Sequence, residues 1–258
     1  MDVLKNNVFG KFVELNEVSH SRKLTHCMLL SQLFYKDKSK MVFKVFGHDV
    51  AFTEDDLYTI TRLKIEASDY SFVDAIVNHL KERYFSEVKK DLKVETLYKF
   101  MQNQSRLRDG TTHDVCVDVE VCDEDAVKLA QIYLLEVVLL GKFEGRNISD
   151  HSMKIIDDEE LCVSFPWGSF YFDEFIDNLS HLLTTESVKK KPIGRISSYT
   201  ALGFPFLFNV WIMEVFNNFR QFSKYENRGP IRMLSYSSIG CPKYDTLYNN
   251  LFINANVS

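Results

Sequence analysis

The side chains that could bind a metal ion are the first candidates for chemistry in this chain. One local group has suitable residue types, namely His113, Cys116 and Cys122. Zinc sites usually take four ligands in two closely spaced pairs, and this group has neither a Cys-x-x-Cys pair nor a second pair elsewhere to complete it. His20 and His26 have no such pair either. The sequence therefore predicts no metal site.

Carboxylates and phosphate-binding loops are the next candidates. Acidic residues cluster at Asp55-Asp56, at 157–160 and at Asp173-Glu174, and such clusters can hold the metal ions of nucleases. Asp55-Asp56 and Asp173-Glu174 are predicted to lie in first helical turns, where the helix dipole accounts for them. The chain has no Gly-x-Gly-x-x-Gly and no Gly-Lys-Ser/Thr motif, so nothing predicts nucleotide binding. We predict no cofactor and no small-molecule substrate.

A basic run is the clearest candidate for a contact site. Lys189, Lys190, Lys191 and Arg195 lie in one segment that we predict to be an exposed loop or linker. Clusters of this kind can contact nucleic-acid phosphates or act as a nuclear address, and they also occur on loops without a binding role. We take these four residues as candidates for contact with nucleic acid or with another partner.

Charge is distributed unevenly along the chain. Residues 111–187 contain 17 Asp and Glu against 4 Lys and Arg, whereas residues 188–258 contain 9 basic and 3 acidic residues. Such an asymmetry can form an electrostatic surface for a partner. The simpler interpretation, which charge runs usually favour, is that both segments are solvated or face each other.

Composition predicts a globular chain with an aromatic core. The 258 residues include 21 Phe and 12 Tyr but only 10 Gly and 5 Pro, which favours long helices and few tight turns. No apolar run approaches the roughly 18 residues of a membrane span, and the first residues lack the apolar segment of a secretory signal. Five cysteines without regular spacing argue against a disulfide framework. We expect an intracellular protein that does not contact a membrane.

Hydrophobic periodicity predicts the elements that must position any site. A β-hairpin is expected over residues 41–52, and a strand or extended loop over 115–122. Helices are expected over 24–35, from Thr53 to about Leu63, from Ser71 to about Phe85, through Leu92 to Phe100, and over 124–140, 149–157, 170–183 and 205–219. Residues 102–112 read as an exposed loop, and 231–238 as a weak strand. Trp167, Trp211 and Cys27 are expected in the core.

Three blocks of this sequence together resemble a plant-specific domain of unknown function, the DUF1985 family. The first block covers residues 43–63, with Arg62 where the family has glycine. The second covers 129–175 and includes the motif Phe165-Pro166-Trp167-Gly168. The third is a Leu-Gly-Phe-Pro motif at 202–205 followed by Val-Trp and Glu214. The resemblance extends over about residues 9–220 and leaves 221–258 as a C-terminal extension.

The resemblance implies a context and no mechanism. The family occurs in transposon-derived plant proteins, often upstream of a ubiquitin-like-protein (SUMO-type) protease domain, and it has no established activity. The companion protease would show a Cys-Gly nucleophile, yet none of the five cysteines here is followed by glycine. The implied setting is intracellular, with the nucleus as the compartment that this context favours.

These observations lead to one predicted fold and three ordered hypotheses of function. We predict a single, predominantly helical α+β domain over residues 1–258, with a small antiparallel hairpin. The first hypothesis is a non-catalytic interaction or accessory module that binds protein partners. The second is a nucleic-acid-binding accessory domain that uses the basic segment 188–232. The third is an enzyme related to ubiquitin-like-protein proteases without its catalytic module, which the sequence supports least because no nucleophile–base pair can be assembled.

Overall fold

Helices dominate the secondary structure, as seen in a computed structural model that describes residues 7–15, 20–33, 39–67, 69–108, 120–180, 205–237, 240 and 243–248. The helices are α1 (Arg22–Leu30), α2 (Glu54–Thr61), α3 (His79–Tyr84), α4 (Val94–Arg108), α5 (Asp123–Tyr133), α6 (Asp150–Asp157), α7 (Glu159–Ser164), α8 (Trp167–Ser180), α9 (Pro205–Val215) and α10 (Tyr244–Tyr248). The strands are β1 (Gln32–Leu33), β2 (Lys40–Val45), β3 (His48–Thr53), β4 (Lys224–Tyr225) and β5 (Tyr236–Ser237). The predicted fold class, predominantly helical α+β with a small antiparallel hairpin, is confirmed.

Residue contacts divide the chain into two compact units. The first unit comprises Met1–Glu14 and Ser68–Phe165, and the second comprises Leu15–Ala67 and Pro166–Ser258. Helices α3 to α7 belong to the first unit, and the other helices and all the strands belong to the second. The single domain predicted over residues 1–258 stays a prediction.

The hairpin predicted over residues 41–52 is present as β2 and β3. Its last residue pair, Val45 and His48, is joined by a two-residue turn. Phe46 and Gly47 in this turn both have positive φ values, of 51° and 76°. This is the backbone pattern that matches the natural twist of two antiparallel strands.

The first helix is shorter than its hydrophobic pattern predicts. A helix over residues 24–35 is expected, but α1 ends at Leu30. The residues of β1 pair with β2 as a third strand instead, and the backbone N–H of Lys44 donates to the carbonyl of Ser31 at 2.8 Å. The prediction is wrong here because a neighbouring strand takes up backbone groups that a further helical turn would have used.

Both ends of α2 are held by side chains. Thr53 accepts a hydrogen bond from the backbone N–H of Asp56, and the Asp56 carboxylate accepts one from the backbone N–H of Thr53, which confirms the predicted helix start. At the other end Arg62 adopts the left-handed conformation, with a φ of 58°. Its Nε donates to the carbonyl of Pro230 at 3.1 Å, and its guanidinium lies 5.0 Å from the ring centroid of Tyr58. A sharp helix end therefore forms without glycine.

Aromatic side chains from β2, β3, α8 and α9 build the core of the second unit. The ring centroid of Trp211 lies 5.5 Å from that of Phe43 and 5.2 Å from that of Phe52. Trp167, Trp211 and Cys27 are buried, which confirms them as core residues. Burial also raises the pKa of the Cys27 thiol, as expected for an inert packing cysteine.

In the first unit, a short turn precedes α3 where one continuous helix from Ser71 is predicted. Ser71–Ala75 form a 3-10 turn, and the backbone N–H of Ser71 donates to Asp69 Oδ1 at 2.9 Å. The helix begins behind Asn78, whose side-chain oxygen accepts from the backbone N–H of Lys81 at 3.0 Å. The prediction of a helix from Ser71 is wrong because the side chain that caps this helix belongs to Asn78.

The exposed loop predicted over residues 102–112 is helical as far as Arg108, since α4 continues to that residue. Gln104 is buried in this stretch, and its Oε1 accepts from the backbone N–H of Val121 at 3.3 Å. Gln102, Ser105 and Arg106 are exposed, so the polar composition that predicts a loop belongs mainly to the solvent-facing side of a helix. The strand or loop predicted over 115–122 falls outside the described residues up to residue 119.

Helix α5 and its continuation cover the long helix predicted over residues 124–140. The N-cap position is occupied by Cys122, and no side chain caps this end. Leu134–Leu139 continue α5 as a π-helix. Gly141, with a φ of 63°, ends the element in the left-handed conformation. Its π-helical turn carries Glu136, which is fully buried.

Element boundaries in the C-terminal half differ from the predicted ones. Helix α8 starts at Trp167 rather than at residue 170, and α9 ends at Val215, with Asn217–Phe222 forming a 3-10 helix. Of the weak strand predicted over 231–238, Tyr236–Ser237 form β5, which pairs with β4. Within the described part of the chain, no helix is long and apolar enough to cross a membrane.

Candidate functional site

Several of the candidate residues lie outside the described residues. These are Lys189, Lys190, Lys191, Arg195, His113 and Cys116. Among the residues that are described, no group of three or more His, Cys, Asp or Glu side chains is placed to hold a metal ion. Cys122 is exposed at the start of α5. His20 and His26 have pKa values lowered chiefly by burial.

The two acidic pairs have different explanations. Asp56 forms the capping box of α2, so the helix-start interpretation of Asp55-Asp56 is confirmed. Asp173 and Glu174 lie beyond the first turn of α8, so the same interpretation is wrong for them. Burial, together with repulsion from Glu54 and Asp177, raises the pKa of Asp173. The helix dipole does not account for this carboxylate, because its effect falls off within the first turn.

The Pro-Trp-Gly motif makes a close contact with the segment that follows α2. The backbone N–H of Gly168 donates to the carbonyl of Lys64 at 2.7 Å, and Ser169 Oγ accepts from the backbone N–H of Glu66 at 2.8 Å. A Cβ atom on Gly168 would lie 2.6 Å from Ile65 Cγ2. The Pro-Trp-Gly motif therefore holds α8 against the segment that follows α2.

An open groove lies on the first unit and involves α5 and α7. Its floor is apolar, with Val127 from α5, Ile156 from α6, and Cys162 and Val163 from α7. Val163 is 66% exposed, the largest exposed fraction of any large apolar side chain in the described residues. The groove encloses about 250 Å³. Exposed apolar surface with a polar border is typical of binding sites.

Acidic side chains border this groove. Asp123 and Glu124 from the first turn of α5 and Glu159 from the first turn of α7 are exposed along it. Lys128 also lines the groove, but its Nζ donates to the carbonyl of Asp157 at 2.8 Å and lies 3.1 Å from Glu124 Oε1. Asp123, Glu124 and Glu159 outnumber this one lysine, so the border of the groove carries a net negative charge.

The apolar pattern around α5 is the feature of the sequence that could have indicated the groove. An apolar pattern on most sides of a helix predicts full burial, yet Ala126 and Val127 are only partly buried. Val127 lines the groove, whereas Ala126 and Leu129 line a second cavity of about 210 Å³ on another side of α5, opposite Phe100 and Met101 of α4. The excess apolar positions of α5 therefore mark the places where the surface of the first unit is concave.

A buried carboxylate near the start of α5 links it to α3. Asp125 is 2% exposed, and its Oδ2 accepts hydrogen bonds from the Arg83 guanidinium and, at 2.6 Å, from the Tyr84 hydroxyl. Burial by itself would raise the pKa of Asp125, but the bonds from Tyr84 and Arg83 outweigh burial and lower it. Burial and the bond to Asp125 raise the pKa of Tyr84 to about 12. This cluster fixes the orientation of α5.

The Asp125 cluster makes the stability of the chain depend on pH. A carboxylate whose pKa is lowered by folding contributes stability above its unfolded pKa of about 3.9, and this stability is lost as the pH falls through the lower folded value. Asp125→Asn should therefore unfold more easily than the wild type at pH 7, with a gap that shrinks below about pH 4. Urea unfolding at a series of pH values measures the gap. Glu160→Gln is the exposed control, and a gap for Asp125→Asn that stays constant with pH would contradict the prediction.

Comparison with known proteins defines the family of this chain. Residues 29–178, more than half of the sequence, match the family described as Domain of unknown function (DUF1985). The chain belongs to this family. No curated protein and no solved structure matches it at a significant level. The matched range includes every groove residue on α5, α6 and α7, and it ends before the third block of the resemblance at 202–214.

Proposed function

We propose that this chain is a non-catalytic interaction module that binds a protein partner through the groove on the first unit. The observation that carries the proposal is Val163, an apolar side chain that is 66% exposed on the groove floor. Burying such a side chain against a partner contributes roughly 1.5 kcal/mol or more. The plant, transposon-derived and nuclear context implied by the family resemblance is part of the same proposal, as is an intracellular location.

The chemistry of the groove side chains supports binding over catalysis. A cysteine nucleophile needs a neighbouring base that can take up the thiol proton. The Cys162 thiol is nearly buried and donates to the amide oxygen of Gln131 at 3.9 Å. An amide oxygen is too weak a base to take up that proton, so this pair stabilises the groove floor and does not activate the sulfur.

The nucleic-acid hypothesis has less support from the described residues. Two arginines of the basic segment 188–232 already have acidic partners, since Arg228 lies 2.8 Å from Glu226 and Arg220 lies 3.6 Å from Glu214. Arg220 Nε also donates to the carbonyl of Met213 at 3.2 Å. These contacts reduce the charge that the segment can offer to phosphates, and they are the reason that we favour a protein partner.

Two matched variants test the proposed function. Val163→Glu places a charge on the groove floor, whereas Val77→Glu places one at another exposed valine of the same unit, which is 48% exposed. We expect partners captured from plant nuclear extract by the wild type to be retained by Val77→Glu and to bind Val163→Glu at least about tenfold more weakly, since the change removes apolar burial and adds a desolvated charge.

Two results would contradict the proposal that the partner binds in the groove. Capture of the same proteins in equal amounts by all three chains would show that binding uses another surface. Capture of DNA that weakens steeply with salt, and is lost when Lys189, Lys190, Lys191 and Arg195 are neutralised, would support the nucleic-acid hypothesis instead.

A further inference from the structure

We infer that the groove binds a short basic segment of its partner, with one apolar side chain of that segment placed against α5 and α7. This inference rests on the proposed function and adds the chemical class of the bound segment. Three features of the groove support it: its size, its apolar floor and the sign of its border.

The size of the groove suits a side chain better than a free small molecule. Its volume of about 250 Å³ is below the range of roughly 300–1,000 Å³ that is usual for small-molecule pockets. The floor includes the apolar side chains of Val127, Ile156 and Val163. An apolar anchor residue of a peptide would cover the exposed part of Val163, as anchors do in helical grooves.

The border of the groove selects the charge of the residues that flank this anchor. Asp123, Glu124 and Glu159 are exposed and outnumber Lys128, which lies 3.1 Å from Glu124 Oε1 and 3.3 Å from Asp157 Oδ1. These carboxylates come from two helices, so more than one lysine or arginine of the segment can meet an acidic side chain. An acidic segment would bring like charges together and is disfavoured by the same geometry.

Fluorescence anisotropy with the full chain and three labelled peptides tests the inference. The first probe is a 12-residue peptide of lysine and leucine in an amphipathic helical pattern, the second replaces each lysine with glutamate, and the third replaces each leucine with serine. We expect the lysine–leucine peptide to bind about tenfold more tightly than either of the others, because only it supplies both the anchor and the complementary charge.

Charge reversal at two adjacent residues shows whether peptide binding depends on the groove carboxylates or on the net negative charge of the whole chain. Glu159→Lys reverses a carboxylate on the groove, and Glu160→Lys makes the same change one residue away in α7, at an exposed position that does not line the groove. We expect Glu159→Lys to weaken binding of the lysine–leucine peptide about fivefold and Glu160→Lys to change it less than about twofold.

The outcomes distinguish this inference from the proposed function. If the glutamate–leucine peptide binds as tightly as the lysine–leucine peptide and Val163→Glu abolishes its binding, the groove remains a protein-binding site. The inference that the bound segment is basic is then wrong. If Glu159→Lys and Glu160→Lys weaken binding of the lysine–leucine peptide equally, the attraction comes from the net charge of the chain and the inference is wrong. If Val163→Glu changes neither peptide binding nor partner capture, both proposals fail together.

Discussion

Gly168→Ala should lower the free energy of unfolding by about 3 kcal/mol, at the upper end of the usual cost of overpacking. The added Cβ would lie 2.6 Å from Ile65 Cγ2, 2.7 Å from the carbonyl oxygen of Lys64 and 2.8 Å from that of Leu63. Two of these atoms belong to backbone, which cannot rotate away, and Gly168 also donates its N–H to Lys64 at 2.7 Å. Relief of the overlap requires α8 to shift away from this segment.

The control for this substitution is Gly145→Ala. The nearest atom to a Cβ at Gly145 is Phe143 Cε2 at 3.7 Å, an ordinary contact distance. Alanine there should change the free energy of unfolding by less than about 1 kcal/mol. It should raise this free energy where the native backbone accepts alanine, because alanine lowers the conformational entropy of the unfolded chain. Urea unfolding measures both variants. Equal stability of Gly168→Ala and the wild type would mean that the Pro-Trp-Gly motif does not hold α8 through this close contact.

Lys142→Met should lower the free energy of unfolding by about 3 kcal/mol, because it leaves a buried carboxylate without its counterion. Glu136 is 0% exposed, and its Oε2 accepts from Lys142 Nζ at 2.5 Å and from the backbone N–H of Ser149 at 3.2 Å. Its other oxygen is buried without a hydrogen-bond partner among the described residues. Methionine retains the apolar stem of lysine, so the substitution tests the charge.

A second variant shows whether the charge is the cause. Glu136→Gln combined with Lys142→Met removes both charges and retains an oxygen that can accept from Ser149, so we expect it to recover all but about 1 kcal/mol. Lys99→Met is the exposed control: Lys99 pairs with Glu95 at 2.5 Å on the surface, with 67% of its side chain exposed, and its loss should leave stability nearly unchanged. A double variant as unstable as Lys142→Met would refute the ion-pair explanation.

Local chemistry made several elements of the fold predictable. Thr53 and Asp56 fix the start of α2 through a capping box that acts within one helical turn. Gly141 ends α5 and its continuation because its left-handed backbone, with a φ of 63°, suits glycine. The hairpin of β2 and β3 likewise depends on alternating side chains and a two-residue turn. In each case the residues that decide the structure are neighbours along the chain.

Several of the incorrect predictions involve partners that are distant in sequence. Helix α1 ends early because β1 joins β2, and α4 extends past its predicted end while Gln104 bonds to Val121. Asp173 was predicted in a first helical turn, but α8 starts earlier, and Glu54 lies near it. The groove was not predicted because its residues are also distant in sequence: Val127 and Val163 come together only through the packing of α5 and α7.

The sequence by itself determined the family, the helical α+β class, the aromatic core and the acidic character of the central segment. These properties depend on residue types and on spacings within a turn or two, which are readable without knowing what packs where. Only the tertiary structure decided which apolar residues remain exposed beside which carboxylates. Burial is a property of the packed helices and not of any one of them, so a valine such as Val163 becomes part of a site only when its neighbours leave it uncovered.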